Sequence, residues 1–358
     1  MKSRMLTVWI VLVVVVISAG PASAGQVMDR VRASGKVDCG VSDVVPGFSY
    51  KSADGSRKGF NVDFCRAVAA AVLGDPDKVK FVPVTTANRF PQLLADKIDL
   101  LMGNTTYTFE REAALRVQFA GIYYYDQQAV MVPRGGEIRT LADLNGATIC
   151  LGKSTTHVAS LSDYFTQKGW TFKPLLMDSV PEMKDAFVNG QCQAVSFDRT
   201  QLTALLKSMP SGMQKYEILP ESISQEPVGP VARWEDQEWQ CMIKWVLYAL
   251  IEAEQRGVTQ ANARTLRDTS DDLGLKRFLA ADGLPEKTLG ISPGWVLRVI
   301  EAVGNYGEIY ERHLGSQSEL KLERGLNRLW TQGGLLYSPP PALTDNRRIL
   351  KVAVWAQY

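Results

Sequence analysis

The sequence predicts an α/β protein folded as two lobes, and three observations predict it. From Lys36 onward, apolar runs of strand length alternate with amphipathic stretches of helix length, the order that builds parallel sheet. The same alternation starts afresh after the loop-like stretch Pro133-Arg134-Gly135-Gly136, and from about Trp239 the chain turns mostly helical. One domain with long embellishments is the alternative for a chain of this length.

In order, residues 36–41 read as a strand and 62–73 as a helix with Asn61 near its cap. A strand at 79–84, a short helix at 89–96 and a strand at 98–102 complete the first series. The second series has a strand at 147–151, a helix at 156–167, a strand at 171–176, a helix at 182–188 stopped at Gly190, and a strand at 194–197. Helical apolar spacing returns at 239–255, 296–303 and 322–329. There is no repeat of fixed period and no low-complexity tract.

Ahead of all this, Lys2 and Arg4 precede an apolar run at 5–17, and Ala22-Ser23-Ala24 offers a small-residue cleavage site. Residues 1–24 therefore read as a cleaved signal peptide, the apolar run being shorter than the roughly 20 residues of a membrane span. The precursor carries a formal charge of +2. With Lys2 and Arg4 removed the body is near neutral, which gives no electrostatic reason to expect nucleic acid as a partner.

Export exposes five cysteines to an oxidising compartment. Pairing Cys39 with Cys65 and Cys150 with Cys192 keeps each bridge within one series of elements, and leaves Cys241 as a buried small residue on the helix from Trp239. The cysteine spacings do not suit a zinc knuckle, and His157 and His313 are the only imidazoles, so no metal is expected.

Catalytic templates are missing: no Gly-x-Ser-x-Gly elbow, no Walker loop, no Gly-x-Gly-x-x-Gly after a strand and no His-Glu-x-x-His. Weight shifts to binding. The run Asn104-Thr105-Thr106-Tyr107-Thr108-Phe109-Glu110-Arg111 lies just past a strand end, where ligands of parallel α/β sheets sit. Its hydroxyls and guanidinium suit a carboxylate, the ordinary alternative being a solvated turn. Ser154-Thr155-Thr156 opens a helix, whose free amides suit a carboxylate or simply require a cap. Asp198 ends a strand, to hold an ammonium group or to cap the helix beginning near Thr200. Arg111 in one lobe and Asp198 in the other complement the two charged ends of a free amino acid.

These residues resemble the periplasmic polar amino-acid-binding proteins of ATP-driven uptake systems, most closely the general L-amino-acid-binding branch. The resemblance runs over essentially the whole mature chain and rests on Pro46-Gly47-Phe48-Ser49, the run from Gly59 to Val68, Asn88-Arg89-Phe90-Pro91, Asn104 to Thr108 and Glu110-Arg111. It continues through Ala147-Thr148-Ile149-Cys150, Asp163-Tyr164-Phe165, the run from Glu226 to Pro230, the run from Val303 to Ile309, and Trp330 to Pro340. It implies a type II periplasmic-binding-protein-like clamp whose chain crosses between lobes near 124–132 and near 226–231. Residues 25–130 with 232–358 would form one lobe and 131–231 the other. It further implies a monomer that delivers free L-amino acids to inner-membrane ABC permease subunits and uses no cofactor.

By motif position Arg111 resembles the anchor for the ligand α-carboxylate, supported by Asn104 and Thr106, with Thr155 and Thr156 closing from the second lobe. Asp198 resembles the ammonium partner, and Phe48, Arg89 and Glu226 stand where side-chain contacts are expected. The chain departs from the family at Ser154, commonly Gly, at Asn61, commonly Asp, and at His157, commonly Thr or Gln; an acidic residue is common near the position of Cys241. His157 then stands at the mouth of the ligand loop, as a ligand contact or in solvent. The clamp also resembles a periplasmic arogenate or prephenate dehydratase, for which Glu226 is the one candidate acid or base.

Overall fold

The computed structural model describes residues 26–341 except 53 and 210; the signal peptide expected at 1–24 lies outside the described residues. The first series comprises α1 (Gln26–Ser34), β1 (Val37–Val41), the small strands β2 (Val44–Val45), β3 (Ser49–Lys51) and β4 (Arg57–Lys58), then α2 (Phe60–Leu73), β5 (Val79–Pro83), α3 (Arg89–Leu94), β6 (Leu100–Thr106), α4 (Phe109–Leu115) and β7 (Val117–Phe119). The long strand β8 (Tyr124–Pro133) leads into β9 (Thr148–Gly152), α5 (His157–Lys168), β10 (Lys173–Met177), α6 (Val180–Val188), β11 (Ala194–Asp198), α7 (Arg199–Ser208), α8 (Gly212–Lys215) and β12 (Tyr216–Ile218). A second long strand, β13 (Gln225–Arg233), returns to the helices α9 (Gln237–Gln255), α10 (Ala263–Thr269), α11 (Leu273–Ala280), α12 (Leu284–Leu289), α13 (Trp295–Val303) and α14 (Tyr306–His313).

One sheet runs through both series in the order β10-β9-β11-β8-β13-β6-β1-β5. The expected parallel pairing holds within each series, β1 with β5 and β6, and β9 with β10 and β11. It does not hold in the middle, where β8 runs antiparallel to β11 and β13, and β13 antiparallel to β6. Those two long strands carry the chain out and back, so they run in opposite directions.

Alternation along the strands sorts the apolar residues to both faces. Ala129 and Met131 of β8 join Cys150, Phe187 and Leu202 on one face, while Val130 and Val132 join Ile149, Leu161 and Phe165 on the other. In the first series the largest core gathers α2, α9, α13 and α14 around the fully buried Trp239, Tyr123, Tyr306 and Tyr310. The alanines 67, 69, 70 and 71 of α2 are buried there, small enough to let α13 approach closely.

Three local expectations change. The helix expected from Val62 begins at Phe60, placing Asn61 in its first turn rather than at its cap. Gly59 turns the chain at φ 131, and a Cβ there would stand 2.2 Å from the Phe48 carbonyl oxygen. The stretch 322–329 forms only a 3₁₀ turn at Gly325–Asn327, because Lys321 and Gly325 take positive φ angles that an α-helix excludes. Cys39 is bonded to Cys65 and Cys150 to Cys192, with Cα atoms 6.3 and 5.7 Å apart. Cys241 is free as expected, but lies at the margin of the buried face of α9, partly exposed rather than buried.

Candidate functional site

The carboxyl ends of β6, β9 and β11 meet the paired strands β8 and β13 at one place. β6 runs four residues beyond the expected strand end, since Thr105 and Thr106 pair with Gly229 and Val228 of β13. Asn104 and Thr106 therefore sit on a strand, not in a loop. Arg111 follows on the first turn of α4, whose cap Thr108 accepts a hydrogen bond from the Arg111 backbone N–H at 3.1 Å.

One end of this place is cationic. Arg89 and Arg111 are 4% and 8% exposed, and every hydrogen bond their guanidiniums donate within the described residues ends on a backbone carbonyl. Arg89 reaches Gly103 O (3.1 Å) and Ser154 O (3.3 Å); Arg111 reaches Thr106 O (2.6 Å) and Ser154 O (3.2 Å). Both guanidiniums also lie over the ring of Phe90. Burial, with Arg111 adding to it, pulls Arg89 down to about 9, and burial lowers Arg111 as well. A buried cation left without an anion is costly, so this end favours a carboxylate. Ser154 presents its carbonyl from φ +57, the left-handed region where glycine is the easiest residue.

The other end is anionic. Asp198 stands at the N-cap of α7 yet makes no capping bond. The Thr200 N–H is instead received by Asp126 of β8 at 3.3 Å, which frees the Asp198 carboxylate to face His157 Nε2 at 3.2 Å and to accept from the Gln201 amide. Asp126 itself is pushed up to about 8, first by burial and then by Asp198. His157 is 2% exposed and tilted against Phe197; of the two placements the sequence left open, solvent exposure is excluded. His157, Asp198 and Glu226 bring a ring nitrogen and two carboxylate oxygens within 4.8 Å of one another, a spacing that suits a cation, whether an ammonium group or a metal ion. Sequence spacing alone did not bring these three together.

Glu226 of β13 joins the two series. Its Oε2 accepts the hydroxyls of Thr106 (2.6 Å) and Thr156 (2.8 Å), and its Oε1 accepts that of Ser224 at 2.5 Å. Two expected contacts turn elsewhere. The Thr155 hydroxyl donates to Gly152 O at 2.7 Å, and Phe48 is fully buried, edge-on to Tyr124 in the main core. A cavity of about 50 Å³ opens among Ser42, Thr86, Arg89, Asn104, Phe197 and Gln201, drawing its walls from both series. A wider surface groove of ≈ 720 Å³ follows Glu311, Lys321, Arg324 and Arg328, and neither the two arginines nor Asp198, Glu226 or His157 line it. Asp126 and Gln201 escaped the sequence reading. Gln201 had a usable signal in standing three residues after Asp198 on a helix, whereas nothing around Asp126 marks it.

The family described as bacterial extracellular solute-binding proteins, family 3, matches residues 37–278. The chain is 41% identical over 342 residues to the general L-amino acid-binding periplasmic protein AapJ of Rhizobium johnstonii, covering 95% of this chain and 99% of that one. It is 39% identical to the glutamate/glutamine/aspartate/asparagine-binding protein BztA of Rhodobacter capsulatus, over 90% of this chain and 95% of that one. A solved periplasmic binding protein of Brucella ovis with glutathione bound matches at a TM-score of 0.83 and 39% identity, over 87% of this chain and 98% of that one. No described helix is long and apolar enough to cross a membrane. With a family match over two thirds of its length and relatives this similar end to end, the chain belongs to family 3 of the bacterial extracellular solute-binding proteins.

Proposed function

We propose that this chain captures free L-amino acids of broad range in the periplasm, between a lobe of residues 25–130 with 232–358 and a lobe of residues 131–231, and delivers them as a monomer to the inner-membrane permease of an ABC transporter. The observation that carries this reading is the opposition of the two buried guanidiniums, Arg89 and Arg111, to the carboxylate of Asp198 across the join between the two series. Arg111, with Asn104 and Thr106, holds the α-carboxylate, and Asp198 holds the α-ammonium. Among the described residues the buried Nε of Arg89 meets no acceptor, which supports ligands carrying a further oxygen, the acidic and amide side chains among them. The binding names of the Rhizobium and Rhodobacter relatives point the same way.

Hinge closure supplies the mechanism. A ligand touching both lobes favours the population in which both sets of contacts are made, and Glu226, bonded to Thr106 and Thr156 together, belongs to that population. The dehydratase reading draws no support from the three relatives above, which are named as binding proteins, and Glu226 is engaged as an acceptor of three hydroxyls. Titration calorimetry with the common L-amino acids tests the proposal: micromolar or tighter binding of several is expected, and binding of none overturns it.

A further inference from the structure

We infer that Asn61 is a positioning residue that fixes which end of the Asn104 amide faces the cleft, making Asn104 a hydrogen-bond donor to the ligand carboxylate. The inference rests on the proposed reading of Asn104 as a contact of that carboxylate. Asn61 is fully buried in the first turn of α2, and its Nδ2 donates to Met102 O at 3.0 Å and to Asn104 Oδ1 at 2.8 Å. Asn104, at φ +49, lines the cavity beside Arg89 and Gly103.

A primary amide has one accepting end and one donating end. With Oδ1 occupied by Asn61, the NH₂ is the end left for the cavity, next to an Arg89 that is itself only a donor. Arg89, Arg111 and Asn104 then all present hydrogen at this end. An acceptor-only group at position 61 reverses the arrangement: it leaves no hydrogen for Asn104 Oδ1, so the amide turns its NH₂ to position 61 and Oδ1 toward the ligand's own oxygens. The charged and titratable groups around position 61 are few. Tyr123, just ahead of β8, packs against Asn61 and Asn104 with its phenol raised by burial, and Arg89 of α3 and Asp198 of β11 act on that phenol. On α2 itself Asp63 is held by Arg312 and His313.

Titration calorimetry of the full mature chain with L-glutamate and L-alanine tests the inference in Asn61→Asp, Asn104→Ala and Asn104→Asp. Asn61→Asp is expected to bind both ligands about tenfold or more weakly at pH 8, the size of one reversed hydrogen bond to a charged group. The gap to the wild type narrows toward pH 5, because a protonated carboxyl again offers a donor to Asn104 Oδ1. A gap that does not change with pH marks a packing defect and overturns the inference, as does no gap while Asn104→Ala is weakened. Should Asn61→Asp not fold, Asn104→Asp is decisive. Asn61 would hold one of its oxygens and leave the other facing the ligand, so it must lose more than Asn104→Ala, and equal losses overturn the inference. Unchanged affinity in Asn104→Ala, or a wild type that binds neither ligand, overturns the site reading beneath it.

Discussion

The two ends of the cleft are built in opposite ways. At the cationic end Arg89 and Arg111 are held by backbone carbonyls of Gly103, Thr106 and Ser154, so their geometry is fixed by the path of the main chain. At the anionic end Asp198 and Glu226 are held by side chains, the Gln201 amide and the hydroxyls of Thr106, Thr156 and Ser224. Apart from the His157 ring that faces Asp198, these partners are neutral, which solvates each charge without cancelling it. A dipolar ligand is thus offered two preorganised and unneutralised poles, whose desolvation was met on folding rather than on binding. On the proposed reading the difference assigns different work to each pole: the one held by the main chain anchors, and the one held by side chains closes.

The sharpest test of that division removes the anchor. Arg111→Ala is expected to weaken every amino acid by about a hundredfold or more, since it removes one member of a buried, hydrogen-bonded charge pair. Arg111→Lys should recover little, because an ammonium cannot reproduce the fork that meets both a carboxylate and the Thr106 carbonyl. Calorimetry across the ligand panel checks both. A loss confined to acidic ligands would move the anchor from Arg111 to Arg89.

Changing the closing pole costs less. Glu226→Gln keeps one accepting oxygen but replaces the other with an NH₂ that cannot receive a hydroxyl, so the Thr106 and Ser224 sides are no longer satisfied together. Affinity is expected to fall about tenfold, as for one lost charged hydrogen bond. The fall should appear in the dissociation rate, because closure and not encounter is affected. Stopped-flow tryptophan fluorescence separates the two rates. A loss as large as that of Arg111→Ala, or one carried by the association rate, breaks the division between anchoring and closing.

The same contrast explains what the sequence made legible. The strands and helices of each series followed from local periodicity, and the cysteine pairs followed from their division between the series. Arg111 and Asp198 stood out because the one follows a strand and the other closes one, on the side where parallel sheets hold ligands. Legibility ended where long-range pairing decides. The extension of β6 to Thr106 depends on β13, over a hundred residues away in the chain, and no local pattern announces it. Asp126 displaces Asp198 from its cap only because β8 runs beside β11. Thr155 and Thr156 are adjacent and chemically alike, yet one hydroxyl turns to Gly152 and the other to Glu226. Phe48 follows the motif in position but packs inward on Tyr124.

Asp126 supports the smallest prediction, on stability rather than affinity. Its folded-state value is raised to about 8 by burial and by Asp198, against roughly 3.9 for an unfolded aspartate. Between those values the folded chain holds a proton that the unfolded chain has lost. Stability contributed by the group is therefore fully present below about pH 4 and is lost as pH rises through about 8. Asp126→Asn keeps an oxygen for the Thr200 N–H but has no proton to lose. The variant should match the wild type near pH 4 and unfold several degrees higher at pH 8, read by differential scanning calorimetry across that range without ligand. A wild-type Tm that is flat over this range, or a variant with the same slope, would place a charged Asp126 in the fold. The anionic pole would then carry three negative charges rather than two, and the balance with Arg89 and Arg111 that suits it to a zwitterion would be lost.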